Sequence, residues 1–213
     1  MDLEELFNKY GSDKGSKKAS WSPNIHYYHR MYSILFEPIR EEVKCLLEIG
    51  VWRGASLKAY MGFFPNASLW GIDILKYKQK KYKRINLITG DAFKDDIIKL
   101  IPENIDIIIE DSDHTLSSQL KALKGYWPKL KKGGLFIIED IMMSPWPGCP
   151  DSSVLIDNNK PYLPQRPFDH PLLNHKELPN EIKKIFDNNH WFWAITNVEP
   201  NGGLHVCIVI KKN

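Results

Sequence analysis

Short, unbroken apolar runs recur along the chain at residues 45–50 (CLLEIG), 68–74 (SLWGIDI), 86–89 (NLIT), 105–110 (IDIIIE) and 134–139 (GLFIIE). Runs of this kind fit strands buried on both faces, as in a parallel sheet. Helical stretches lie between them at 55–64, 93–100 and 116–130. The last carries Leu116, Leu120, Leu123 and Trp127 at a three-to-four spacing on one face, and Gly133-Gly134 is expected to stop it. Strand alternating with helix predicts a parallel α/β sheet with right-handed crossovers. A helix near 177–189 and two β-rich runs, 191–198 and 204–210, close the chain. Glu199-Pro-Asn-Gly-Gly203 between those runs is turn chemistry, so they are expected to pair as an antiparallel hairpin at the sheet edge. No internal repeat appears.

Two regions break the alternation. Residues 1–40 offer an amphipathic helix through Leu3, Leu6 and Phe7, then a polar Gly-Ser-Lys stretch, then a helix over 24–40 rich in Tyr and His. From Pro145 to Pro171 the chain holds seven of its fourteen prolines, with Trp146, Tyr162 and Phe168 among them. Long loops are either functional or disordered, and stiff, aromatic-bearing ones favour an ordered lid.

Composition places the chain among globular proteins of one domain: 213 residues, 43% hydrophobic and 26% charged. The start, MDLEELFNKYGSDKG, is acidic and amphipathic, and no long apolar run exists. Neither a signal peptide nor membrane insertion is expected. Cys45, Cys149 and Cys207 are odd in number and widely spaced, which fits incidental thiols in a reducing, cytoplasmic setting. A net charge of +3 is too balanced to argue for nucleic acid. Residues 76–84 (KYKQKKYKR) are the local exception, read as a solvated face in preference to a phosphate-tracking groove.

Chemistry-bearing residues gather where the strands are expected to end. The first strand runs Glu48-Ile-Gly50-Val-Trp-Arg-Gly54 straight into a helix. Glycines there let the backbone turn sharply and approach a ligand at a helix N-terminus. The pattern is not GxGxxG, and Glu48 suits a cationic or amine-bearing ligand better than a pyrophosphate. Asp73 ends the second strand, where a carboxylate can bind ribose hydroxyls. Asp91 follows the third, in Thr89-Gly-Asp-Ala92, within reach of an adenine amine. Each acid alone reads as readily as an N-cap; three at successive strand ends point to a ligand crevice.

This arrangement resembles the class I S-adenosylmethionine-dependent methyltransferases over residues 43–213. The resemblance implies a Rossmann-like α/β fold: a seven-stranded sheet, mostly parallel with an antiparallel C-terminal hairpin, and helices on both faces. It also implies that Glu48 and Gly50 sit near the methionine part of the cofactor, Asp73 near the ribose and Asp91 near the adenine.

The next strand ends carry Glu110-Asp111-Ser-Asp113-His114-Thr115 and Glu139-Asp140. Four or five converging carboxylates repel one another unless a cation neutralises them. Oxygen ligands without cysteine favour Mg²⁺ over Ca²⁺ or Mn²⁺. Three residues past Asp111, His114 is expected beside the ion as a general base and not as its ligand. The plainer reading, that Asp113 and Thr115 cap the next helix, leaves Asp111, Glu139 and Asp140 unexplained.

Asp-x-x-His followed by Glu-Asp resembles the metal-dependent sugar O-methyltransferases of macrolide biosynthesis. There the acids hold Mg²⁺, vicinal sugar hydroxyls chelate it, and the histidine deprotonates the acceptor. The resemblance implies Asp111, Glu139 and Asp140 as metal ligands, with His114 and Asp111 as the catalytic pair. Tyr10-Gly-Ser-Asp-Lys14 with His26-Tyr-Tyr28 and Tyr32 is similar to that group's segment preceding the core, which closes over the cofactor. The expected cofactor contacts are therefore Lys14, Glu48, Gly50, Gly54, Asp73, Asp91, Ala92 and Asp111. The implied organisation is an N-terminal helical cap over residues 1–42 and a core over 43–213, with a Pro-rich substrate loop at 141–176. Ser112-Asp113 departs from the group's commoner Gly-Ser and adds a charge beside the metal. The implied function is Mg²⁺-assisted methylation of a sugar or glycoside hydroxyl, with a homo-oligomer compatible with it. A catechol, phosphoryl or phosphoramidate oxygen is an alternative acceptor, and a non-catalytic S-adenosylmethionine-binding protein is the alternative class.

Overall fold

A computed structural model describes residues 1–20, 25–76, 82–141, 170–175, 177–198 and 204–213. The Pro-rich loop with Trp146, Tyr162 and Phe168, most of the basic stretch, Cys149 and the 199–203 turn lie outside the described residues.

In chain order the elements begin with α1 (Leu3–Tyr10), α2 (Tyr28–Phe36) and a 3₁₀ turn (Glu37–Ile39), followed by β1 (Cys45–Ile49), α3 (Ala55–Phe63), β2 (Ser68–Asp73) and β3 (Ile85–Thr89). Next come α4 (Asp95–Ile98), β4 (Ile105–Glu110), α5 (Leu116–Tyr126), a 3₁₀ turn (Trp127–Lys129) and β5 (Leu130–Ile138). The chain closes with α6 (Pro171–Asn174), α7 (Asn180–Asp187), β6 (His190–Val198) and β7 (Leu204–Lys211).

The seven strands form one sheet in the order β3-β2-β1-β4-β5-β7-β6. The first five are mutually parallel, β7 runs antiparallel to β5, and β6 pairs antiparallel with β7 at the edge. Every residue of central β4 is buried, as a strand covered on both faces requires. Alternate strand residues feed two cores. Leu46, Leu69, Ile107, Ile137 and Val209 meet α1, α2 and α3 on one face. Leu47, Ile72, Ile108, Phe136 and Ile208 meet α5, α6 and α7 on the other.

Three boundaries differ from the sequence reading. The helix expected over 116–130 ends at Tyr126, because Pro128 cannot continue it and the chain tightens into a 3₁₀ turn. Strand β5 begins at Leu130, so Gly133 and Gly134 lie inside a strand and do not stop a helix. The helix expected over 24–40 is shortened to Tyr28–Phe36. Of the basic stretch, Arg84 is structural: its guanidinium donates to the carbonyls of Met61, Phe64 and Ala67 at 2.6, 2.7 and 2.8 Å. Among the described residues no helix is long and apolar enough to cross a membrane.

Candidate active site

The switch in strand order falls between β1 and β4, where the chain leaves toward opposite sides of the sheet and opens a crevice at the strands' carboxyl ends. Gly50 closes the approach of the two strand ends. Its φ is +85°, and a Cβ there would overlap the carbonyl oxygen of Asp111. Gly54 takes φ +69° as the N-cap of α3, which has no side-chain cap. Between them Trp52 holds φ +48°, rare for a bulky residue. The turn is secured by Asp73, whose Oδ2 accepts the amides of Val51 (3.0 Å) and Trp52 (2.7 Å) while Oδ1 accepts that of Leu75 (2.8 Å). Asp91 likewise accepts the Phe93 amide at 3.0 Å, and the Ala92 carbonyl takes the Tyr126 hydroxyl at 2.6 Å. Asp73 thus orders the turn after β1 as well as its own loop, and Asp91 orders the start of its own, with half-buried carboxylates at adjacent strand ends.

Glu48 is fully buried, and only one of its oxygens is satisfied, by the Ser56 hydroxyl at 2.7 Å. Burial pushes its carboxyl up to about 8 against the opposing pull of Lys14. The buried Tyr60 hydroxyl on α3 also lacks a hydrogen-bond partner. Orphaned buried polar atoms are expensive unless something fills the gap. A carboxylate and a phenol left open beside the Gly50 turn fit the ammonium end of an amino-acid-bearing cofactor.

The second half of the site is acidic. Lys14, 3% exposed, lies 2.5 Å from Asp111 Oδ2 and 2.5 Å from Glu139 Oε2. Tyr32 donates to the other Glu139 oxygen, and Tyr28 donates to Asp140 Oδ1 at 2.5 Å. His114 Nε2 sits 3.3 Å from Asp111 Oδ1 and 3.8 Å from Asp140 Oδ2. Although burial alone lowers an imidazole's pKa, hydrogen bonding to Asp111 and the charge of Asp140 hold His114 up at about 9. Burial also works against ionisation of Asp140, yet His26, His205 and His114 keep its carboxyl well below the usual range. Burial and the charge of Asp111 push Glu139 upward. His114 and Asp140 both adopt positive φ, +63° and +50°. Such conformations cost of order 1–3 kcal/mol each and collect where side chains must be aimed.

Donor atoms of Asp111, His114 and Asp140 lie within 4.8 Å of one another, and the oxygens among them fit a hard divalent cation. The left-handed turn at residue 114 sets His114 Nε2 beside the Asp111 and Asp140 carboxylates. Glu139 faces Lys14 and Tyr32 in place of that group. Asp113 is a capping residue: it accepts the Thr115 amide at 3.1 Å and the Ser118 hydroxyl at 2.9 Å, while Thr115 caps α5 through the Ser118 amide at 3.1 Å. His205 went unmarked in the sequence. Its signal was a lone imidazole inside the apolar run of β7, and its Nδ1 lies 3.1 Å from Asp140 Oδ1. Glu110, also fully buried, is pushed up to about 7 by burial, with Ser112 donating to it.

The seven-stranded sheet, with its crevice at the switch in strand order and its antiparallel closing strands, is the Rossmann-like methyltransferase fold. Residues 47–141 match the profile of the family described as a methyltransferase domain. The chain is similar to several named O-methyltransferases. It is 29% identical over 157 residues to mycinamicin VI 2''-O-methyltransferase of Micromonospora griseorubida, covering 69% of this chain and 38% of that enzyme. To demethylmacrocin O-methyltransferase of Streptomyces fradiae it is 28% identical over 193 residues, 84% of this chain and 46% of the other. The chain thus spans less than half the length of these curated relatives. The solved mycinamicin-pathway methyltransferase MycE, in complex with Mg and SAH, superposes with a TM-score of 0.70 at 26% identity, over 100% of this chain and 55% of that one.

Proposed function

We propose that this chain is an S-adenosylmethionine-dependent O-methyltransferase that acts, with Mg²⁺, on a hydroxyl of a sugar or glycoside. The observation that carries the reading is His114 Nε2 poised between the Asp111 and Asp140 carboxylates, 3.3 and 3.8 Å away, in a chain similar to sugar O-methyltransferases. When bound, S-adenosylmethionine supplies an electrophilic methyl group on a sulfonium, and Mg²⁺ supplies Lewis-acid polarisation of the accepting oxygen.

The chain's own residues do the rest. Glu48 and Tyr60 receive the amino group of the methionine part, while Gly50 and Gly54 shape the turn against which it lies. Asp73 takes the ribose diol, with Asp91 and Ala92 beside the adenine. Asp111 and Asp140 would hold the cation, with Glu139, whose Oε2 lies against Lys14 Nζ, as the third oxygen donor. Lys14 otherwise keeps this cluster neutral and ties the N-terminal segment across the crevice. His114 accepts the hydroxyl proton at Nε2, a contribution of about 10²–10⁴-fold in dissected enzymes. For that Nε2 must be unprotonated, and a cation seated among the carboxylates lowers the raised pKa toward neutrality. The acceptor is a small molecule; nucleic acid has no part in this reading, and a homo-oligomer is compatible with it.

Calorimetry with S-adenosylmethionine, with and without Mg²⁺, tests the cofactor. Labelled-methyl transfer to glycosides bearing vicinal hydroxyls, set beside catechols, tests the acceptor. Cofactor binding followed by glycoside labelling is expected. Labelling of catechols alone would move the acceptor class, and absence of cofactor binding would remove the reading.

A further inference from the structure

Methyl transfer as derived leaves unused two buried imidazoles that face Asp140, those of His26 and His205. His26 lies in the stretch before α2, Asp140 in the turn after β5, and His205 on β7. They are 7%, 1% and 1% exposed, and one donor atom from each lies within 4.8 Å of the others. His26 Nδ1 is 3.5 Å from Asp140 Oδ2, and His205 Nδ1 is 3.1 Å from Oδ1. We propose that His26, Asp140 and His205 form a site for a divalent transition-metal ion, distinct from the Asp111 site except for the shared carboxylate.

Two features beyond the three donors support a built site. The far nitrogen of His26, Nε2, lies 3.7 Å from Asp13 Oδ2. A carboxylate behind the imidazole is what metal-ligating histidines carry, since it fixes the ring and its tautomer and raises ligand basicity. Asp140 is also fixed from the other direction: its carboxylate accepts the Tyr28 hydroxyl at 2.5 Å, and its amide donates to the same hydroxyl oxygen at 3.1 Å. A positive φ of +50° aims it.

Donor chemistry selects the ion. Two imidazole nitrogens with one carboxylate suit Zn²⁺, Co²⁺, Ni²⁺, Mn²⁺ or Fe²⁺, whereas Mg²⁺ prefers oxygen throughout. An ion here ties the N-terminal segment to the ends of β5 and β7. The inference stands on these three residues and does not depend on the methyl-transfer reading.

The test uses Co²⁺ as the probe on the whole chain, stripped with chelator and then titrated in excess Mg²⁺, with visible d–d absorption as the readout. The wild type should give a saturable signal. His26→Ala and His205→Ala should each weaken it at least about tenfold, and Asp111→Asn should leave it in place. His26 lies outside the sheet, so its variant stays informative even where His205→Ala fails to fold. No Co²⁺ signal in the wild type, a signal unchanged in His26→Ala, or one that disappears in Asp111→Asn would each overturn the proposal.

Discussion

Glu48 is a carboxyl kept neutral by burial until a ligand arrives. With its pKa near 8, it holds about 0.9 proton at pH 7 in the free protein. An ammonium group docking on it favours the charged form, so cofactor binding should release close to one proton at pH 7. Calorimetry in buffers of different ionisation enthalpy reads this directly, and Glu48→Gln should abolish the release. The same raised groups set the pH dependence of stability. Glu110, Glu48 and His114 titrate near 7, 8 and 9 in the fold, above their ordinary 4.5, 4.5 and 6.5. The folded state therefore binds more protons, and stability declines as pH rises through those values. Asp111 and Asp140 are depressed from 3.8, and their contribution is lost only on acidification below that. The ligand-free chain should be most stable near pH 4–5 and melt progressively lower toward pH 9. A melting temperature that climbs between pH 5 and 9 would contradict these assignments.

At the scale of elements, the Gly50 turn sets where the crevice opens. Gly50→Ala adds a methyl against the Asp111 carbonyl at φ +85°, a position where steric and backbone strain act together. It should separate the ends of β1 and β4 and weaken S-adenosylmethionine binding at least tenfold, about 1.4 kcal/mol or more; an unchanged affinity would show that the turn has slack. The strands were legible because continuous apolar runs have one comfortable home, a sheet covered on both faces. Most of the site acids were legible for a related reason: Asp73, Asp91, Asp111 and Glu139 stand at or just past the end of a run that had to end, whereas Glu48 lies inside one. Less legible was the start of β5, because Leu130-Lys-Lys-Gly-Gly134 has polar, flexible chemistry and a helix's apolar stripe runs up to it.

Across the whole molecule, the pairings that complete the site are long in sequence and carry no local signal. Lys14 meets Asp111 and Glu139 across 97 and 125 residues, and Tyr28 reaches Asp140 across 112. Family resemblance marked the N-terminal motif as part of the site, but only the fold shows Lys14 acting as the internal counter-ion of the acidic cluster. Removing one partner of a buried ion pair typically costs 3–5 kcal/mol, because the remaining charges stay unpaired. Lys14→Met should lose about that much stability in denaturant titrations. Mg²⁺ should restore part of it by neutralising the same carboxylates, and a loss that Mg²⁺ leaves untouched would separate Lys14 from the cation site.

The central claim is that His114 deprotonates a hydroxyl beside a cation held by Asp111 and Asp140. It is tested most directly by the rate of labelled-methyl transfer from S-adenosylmethionine to a glycoside acceptor at saturating Mg²⁺, comparing His114→Ala with the wild type. The account expects that rate to fall by about 10²–10⁴-fold while cofactor and Mg²⁺ affinities hold. Wild-type turnover in His114→Ala would contradict it.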